Sequence, residues 1–426
     1  MSSSIPEYEN SSKMSDDDSS DLPVDLEVGP TQPSIARTVS TYDNPGIPVE
    51  VKSESDSTAG PTWRVIIASF SPSWFTVCMG TGMASILLYF IPFKANWLYY
   101  LSIVLFILNA IFFCIISALT VLRYCLFPKL WRPTLCDPVV APFLGTIPIA
   151  FATLIEMWVF ICVPLWGDWA STIAFAFWIV DAVGAVLLTM YLSFLLMSKS
   201  RIRSLEMVTA VQLLPIASTI IASGVGAEVA EVLPSHERAI ATTIASFVLW
   251  GMSMPLAAIV LAIYYQRLAV HKLPAREVIV SCFLPVGPLG FGSYTIMYLG
   301  KVTHSIFAND TDPSLAISAK CIQVVTLMIG LIIWGFGLTW LVFALASIYS
   351  AAPFPFNMGW WGFTFPLGVY AASTILIGNE LPSVFFRVLG TVLSAIVILL
   401  WAVVSLGTMR GVWKGTLFIA PSPPPK

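Results

Sequence analysis

The chain has 426 residues, of which 57% are hydrophobic and only 11% charged, and its mean hydropathy is +0.84. No soluble domain of this length carries so little charge, which excludes soluble enzymes and nucleic-acid-binding modules as function classes. The formal charge of −3 conceals a segregation: residues 1–60 hold 12 of the 24 acidic residues and 3 of the 21 basic ones, so the remainder is net basic.

Residues 1–60 are rich in Ser, Asp, Glu, Pro and Thr and cannot bury a core, so a disordered acidic cytosolic tail is expected there. Two patterns in it invite phosphorylation: Arg37-Thr38-Val39-Ser40, and Ser15 before Asp16-Asp17-Asp18. The polar start gives no signal peptide, so the first apolar run would direct insertion.

Apolar runs of about 18 or more residues read as membrane-spanning helices. Ten follow in residues 61–410, at 73–92, 97–122, 139–163, 170–197, 209–230, 239–265, 276–300, 316–349, 361–378 and 384–408. Residues 411–426 form a short cytosolic tail ending in Pro-Ser-Pro-Pro-Pro-Lys. Every odd span carries paired glycine or proline near its middle: Gly80-Thr81-Gly82, Gly145-Thr146-Ile147-Pro148, Pro215, Gly287-Pro288-Leu289-Gly290, and Thr364-Phe365-Pro366. The even spans are smoother. These interruptions recur about every 70 residues, the length of one helical hairpin with its loops.

The fold class follows: an all-α membrane protein of ten helices, arranged as five like-oriented hairpins. A pseudo-fivefold inner ring of kinked helices would line a pore, and an outer ring of straighter helices would surround it. The alternative reading of Gly and Pro is close helix packing.

Loops after spans 2, 4 and 6 carry Arg123, Lys129, Arg132, Lys199, Arg201, Arg203, Arg267, Lys272 and Arg276, and Arg410 and Lys414 follow span 10. The other side has the sparser Lys94, Arg238, Lys301, Lys320 and Arg387. Both termini are therefore expected in the cytosol. The sequon at Asn309 then falls in the longest outer loop, as a glycosylation site.

No Lys or Arg lies mid-span. An anion path would instead rely on backbone N–H groups at the kinks, half-helix dipoles and the hydroxyls Thr81, Thr146, Ser293, Thr295 and Thr364. Two carboxylates lie at depth, Glu156 in span 3 and Asp181 in span 4. Each reads as a proton-coupling group or a structural hydrogen-bonding one, and for Asp181, on an outer helix, the structural reading is preferred. Glu228 and Glu231, at the end of span 5, are expected in water. Phe365, beside the kink proline of span 9, reads as a pore-occluding ring or as core packing. The seven cysteines show no metal spacing, and no cofactor or metal is expected.

Several segments resemble the tellurite-resistance/dicarboxylate transporter family, and more closely its fungal sulfite efflux pumps. They are Ser71-Pro72-Ser73-Trp74-Phe75, Met79-Gly80-Thr81-Gly82, Leu144-Gly145-Thr146, Ala230-Glu231-Val232-Leu233-Pro234, His271-Lys272-Leu273-Pro274, Leu284–Gly290, Trp360–Gly368, Gly378-Asn379-Glu380 and Phe386–Thr391. The resemblance spans about residues 63–408 and implies ten helices, one pore per subunit and a homotrimer in the plasma membrane. It implies Phe365 as the gate and makes Asp181 a characteristic residue of the sulfite group. Where sulfite pumps commonly show Gly-Gln-Gly, this chain has Gly290-Phe291-Gly292, so Phe291 is read as a second narrowing ring. Ala150, after Pro148-Ile149, and Glu156 also depart from that group.

The function expected is export of sulfite or bisulfite through a phenylalanine-gated pore. It would be driven by membrane potential or by proton coupling through Glu156 or Asp181. A malate or dicarboxylate carrier, or another anion channel of the family, is the nearest alternative. A non-transporting receptor or scaffold is the other. Membrane lipid and a small anion are the expected partners.

Overall fold

A computed structural model describes residues 63–199, 204–308, 313–415 and 417. The acidic tail with its phosphorylation patterns, and Asn309, lie outside the described residues.

The described residues are helical and contain no strand. Ten helices are long and apolar enough to cross a membrane. Their α-helical parts are α1 (Phe75–Phe90), α2 (Asn96–Leu126), α3 (Thr146–Met157), α4 (Asp168–Lys199) and α5 (Leu213–Val232), then α6 (His236–His271), α7 (Val286–Phe307), α8 (Pro313–Ala351), α9 (Trp361–Glu380) and α10 (Val384–Trp413). The third span continues past α3 through a π-helical turn, Trp158–Cys162, to Trp166.

Burial separates the two rings. In the five odd spans 72, 72, 94, 89 and 94% of the most apolar window is buried, against 22, 33, 28, 17 and 22% in the even ones. Consecutive odd helices pack on one another, and α9 packs on α1, which closes a five-membered ring. Each even helix packs on the odd helix before it, giving the five hairpins.

In apolar solvent such helices associate by packing and interhelical hydrogen bonds. Here one bond repeats around the ring. Trp178 of α4 donates its indole N–H to Ala222 O of α5 at 2.8 Å, and Trp250 of α6 donates to Gly292 O of α7 at 2.9 Å. Trp334 of α8 donates to Thr374 Oγ1 of α9 at 2.9 Å, and Trp401 of α10 to Thr81 Oγ1 of α1 at 3.1 Å. At the fifth position Asn109 Nδ2 of α2 donates to Thr153 Oγ1 of α3 at 3.1 Å. Each outer helix thus staples the inner helix of the next hairpin, so the bonds run in one rotational sense. Replacing any one of these tryptophans by Phe is expected to cost roughly 1 kcal/mol. Melting of the detergent-solubilised variants checks this, and the losses should sum in the quadruple variant because the sites are far apart.

The interruptions in the odd spans sit nearer one end than the sequence places them. Each odd helix is preceded by a short 3₁₀ segment: Pro72–Trp74, Ala141–Gly145, Ala210–Gln212, Arg276–Phe283 and Met358–Trp360. Pro148, Pro215 and Pro288 occupy the third position of α3, α5 and α7. Proline in a first turn removes no intrahelical hydrogen bond. These three therefore mark where a 3₁₀ segment becomes an α-helix, rather than freeing groups at mid-membrane. Pro366 lies inside α9. The even spans are not uniformly smooth either, since Pro255 lies inside α6.

Candidate functional site

A cavity of about 650 Å³ lies inside the ring at the end where the odd helices begin. All five inner helices reach it, through Met79, Ile149, Ala217, Gly287 and Phe365, together with Pro288 and Pro366. Its mouth carries Arg267, Pro274, Glu277 and Asn357, and Glu277 is exposed, so the cavity meets water there. Farther in, the wall is apolar, and Phe365 is only 6% exposed. No residue of the opposite half of the ring, Glu156, Glu228 and Tyr294 included, lines the cavity. Phe365 lines the cavity about one turn into α9, level with Met79 of α1 and Ala217 of α5.

Of the residues singled out in the sequence, Phe365, Pro366, Gly287 and Pro288 line this cavity. Phe291 does not. It packs over Gly224 of α5 and lies 5.3 Å from the ring of Tyr294, beyond the cavity. Gly80, Gly82, Gly145 and Gly290 stand in the seams between neighbouring inner helices. Two of those seams join backbone to backbone. A Cβ on Gly145 would meet Pro215 N and Cα at 2.7 Å, and one on Gly290 would meet Tyr370 N at 2.8 Å and Cα at 2.9 Å. Gly80 faces Trp361 and Thr364, and Gly82 faces Thr153 and Asn109. Pro215 sits at the α3–α5 contact, away from the cavity, and Pro148 is fully buried in the first turn of α3.

The hydroxyls are largely engaged by protein. Thr81 donates to Val77 O at 2.8 Å and accepts from Trp401. Thr146 donates to Phe143 O at 2.6 Å, and Thr364 to Trp361 O at 2.9 Å. Ser293 donates to Gly330 O at 2.7 Å. Thr295 Oγ1 is sealed and has no partner.

The opposite half of the ring holds the ionisable groups. Glu156 is 3% exposed, and Asp181 is also 3% exposed with both carboxyl oxygens lacking a partner. The structural hydrogen bond expected for Asp181 is therefore not formed. Its helix turns Trp178, Asp181, Ala182 and Ala185 toward the inner ring, so the carboxyl is packed inward, away from a backbone donor. Glu228 was expected in water, yet it is 2% exposed. Helix α5 runs on to Val232, so Glu228 lies one turn inside its end. Its Oε1 accepts from Tyr294 at 2.7 Å. The neighbouring Tyr298 donates to Glu231, which forms an ion pair with Lys301 at 3.0 Å. Sequence reasoning missed these tyrosines. The available signal was a stripe at helical spacing on each partner, Gly224, Glu228 and Glu231 against Phe291, Tyr294, Tyr298 and Lys301.

The described residues hold no group of His, Cys, Asp and Glu able to bind a metal ion. The site offers a solvent-open cavity with an apolar wall, and beyond it a buried polar half, an arrangement suited to a conduit.

Comparison with known proteins agrees. Residues 69–409 match the family model described as SLAC1, voltage-dependent anion channel. A sulfite efflux pump of Arthroderma benhamiae is 44% identical over 340 residues, covering 80% of this chain and 90% of that protein. The sulfite efflux pump of Candida albicans is 29% identical, covering 81% and 74%. The malic acid transport protein of Schizosaccharomyces pombe is 22% identical, covering 78% and 76%. The chain belongs to the SLAC1 family, and it is a multi-pass membrane anion transporter.

Proposed function

We propose that this protein exports sulfite or bisulfite across the plasma membrane through the ring of each subunit. The observation that carries the substrate is the 44% identity to a sulfite efflux pump, which extends over 90% of that protein. The geometry supports the route. An anion enters the 650 Å³ cavity, is drawn toward Arg267 at its mouth, and meets Phe365 in its wall. Passage requires that ring to move aside, so Phe365 acts as the gate.

The basic loops support a cytosolic cavity mouth. Arg123, Lys129, Arg132, Arg267, Lys272, Arg276 and Arg410 gather on the side where the odd helices begin. With ten spans, both described ends lie on that same side. An inside-negative potential then drives anions outward with about 2.3 kcal/mol per charge per 100 mV. Assembly as a homotrimer belongs to the same proposal, with one conduit in each subunit.

The test is a current recorded in giant patches or from reconstituted liposomes with sulfite/bisulfite, chloride, nitrate and malate in turn. A current carried preferentially by sulfite/bisulfite, reversing at that anion's equilibrium potential, is expected. Preference for malate would move the protein to the dicarboxylate branch. Silence from folded protein would remove the transport reading.

A further inference from the structure

The half of the ring beyond Phe291 holds a set of groups that a passive anion conduit does not need. Glu228 is buried, with one oxygen on Tyr294 at 2.7 Å and the other sealed without a partner. Glu156 of α3 lies within electrostatic range of Glu228 on α5 and of Tyr294 on α7. Tyr89 of α1 is likewise within range of Tyr298 on α7. Helices α3 and α7 are not neighbours in the ring, and neither are α1 and α7. Glu156, Glu228 and Tyr294 are each buried on an inner helix, so the group gathers within the ring and not at its lipid face.

From Glu228 the groups lead outward. The rings of Tyr294 and Tyr298 stack with centroids 5.4 Å apart. Tyr298 bonds Glu231, Lys301 pairs with Glu231, and the Lys301 ammonium stands 4.7 Å from the Tyr298 ring. Glu231 and Lys301 are about one-third exposed, so the ladder begins at water.

The surroundings of Glu228 can be named from each packed element. Helix α3 contributes Glu156, α4 Asp181 through its proximity to Glu156, α5 Glu231, and α7 Tyr294, Tyr298 and Lys301. The face of α6 at this seam presents Thr242, Thr243 and Ser246, which carry no charge. Among the described residues the cation in reach is Lys301, and it is already held by Glu231. An ionised carboxylate here would stand in the anion's way with no counter-charge of its own.

We propose that Glu228 is the charge-selecting residue of the pathway: protonated from the Lys301 side it lets a monoanion pass, and ionised it bars anions, dianions most strongly. This rests on the anion-path reading above and adds to it a residue, a charge class and a side of control. Acid on the Lys301 side opens the path, because a proton removes the negative charge that repels the anion.

The experiment uses the full chain in outside-out and inside-out patches, with nitrate as the current carrier because it does not titrate in this range. Nitrate current should rise roughly tenfold as the solution on the Lys301 side passes from mildly alkaline to mildly acidic, the scale of one nearby charge added or removed. Acid on the opposite face should do much less. Glu228→Gln should carry the high current at every pH and pass malate more readily relative to nitrate. Tyr294→Phe keeps the carboxyl and loses its partner, so it should displace the midpoint of the response, and this keeps the proposal testable if the Gln variant does not fold. Asp181→Asn should retain the response. A wild-type nitrate current indifferent to pH on the Lys301 side overturns the proposal, as does a full pH response in Glu228→Gln or an unmoved midpoint in Tyr294→Phe. A folded protein that carries no anion at any pH contradicts the transport reading itself, so the two failures are told apart.

Discussion

Phe365→Ala should raise anion flux by on the order of ten- to a hundredfold at equal surface expression, because each tenfold corresponds to about 1.4 kcal/mol off the barrier. The side chain lines a cavity that all five inner helices share. It is held by packing, with 6% of its surface exposed, and its ring has no polar atom to aid an anion. Truncation to alanine removes the obstacle and leaves the ring of backbones in place, since the helix-shaping Pro366 is untouched. Loss of packing around the deleted ring would cost stability, roughly 3–5 kcal/mol in a soluble core, so flux must be normalised to folded protein. Phe291→Ala is expected to behave differently, because that ring packs over Gly224 and Tyr294 beyond the cavity. Whole-cell or patch currents normalised to surface-labelled protein decide the matter. Unchanged flux in Phe365→Ala would remove the gate assignment and leave the residue as core.

The largest expected loss of folded protein comes from Gly290→Ala and Gly145→Ala. At both positions the new methyl group would meet the backbone of the neighbouring inner helix, Tyr370 N and Cα for Gly290 and Pro215 N and Cα for Gly145, at 2.7–2.9 Å. Backbone cannot rotate aside as a side chain can, so the two helices must separate. Overpacking of this kind costs roughly 1–3 kcal/mol. Separation at one seam also opens a ring that closes on itself, which puts the effect at the upper end of that range. Gly184→Ala is the control: nothing lies within 4 Å of its added Cβ, and alanine is the better helix former there. Thermal melting of the solubilised proteins should show Gly290→Ala and Gly145→Ala well below wild type, with Gly184→Ala at or above it. If all three melt alike, the seams are looser than these distances imply.

The alternation of broken and unbroken spans made the two-ring architecture legible in the sequence, because a helix hidden from lipid tolerates Gly and Pro while one facing lipid does not need them. The same pattern led to the cavity-lining Gly287, Pro288, Phe365 and Pro366, since the interruptions cluster where the odd helices begin. At Gly80, Gly82, Gly145 and Gly290 the glycines stand in seams between helices. A small residue in a membrane helix serves close packing or a lumen equally well, and its identity does not say which neighbour it faces.

The carboxylates show where one-dimensional reasoning runs out. Asp181 and Glu156 were recognised by depth, a property of position along a span. Glu228 was assigned to water because it lies near a span's end, and it is buried because α5 continues and α7 lays Tyr294 across it, 66 residues away in sequence. The tryptophan staples escaped for the same reason, since each links an outer helix to the next hairpin and not to its own.

What the sequence by itself determined is membrane residence, ten helices and their division into two classes. Each of these follows from hydrophobic length and from proline and glycine placement within a single span. Only the tertiary structure decided which glycines close the ring, which side chains share the cavity and which glutamate meets a tyrosine. Those depend on the rotation of each helix about its axis, and that rotation is set by contacts between residues tens to hundreds of positions apart.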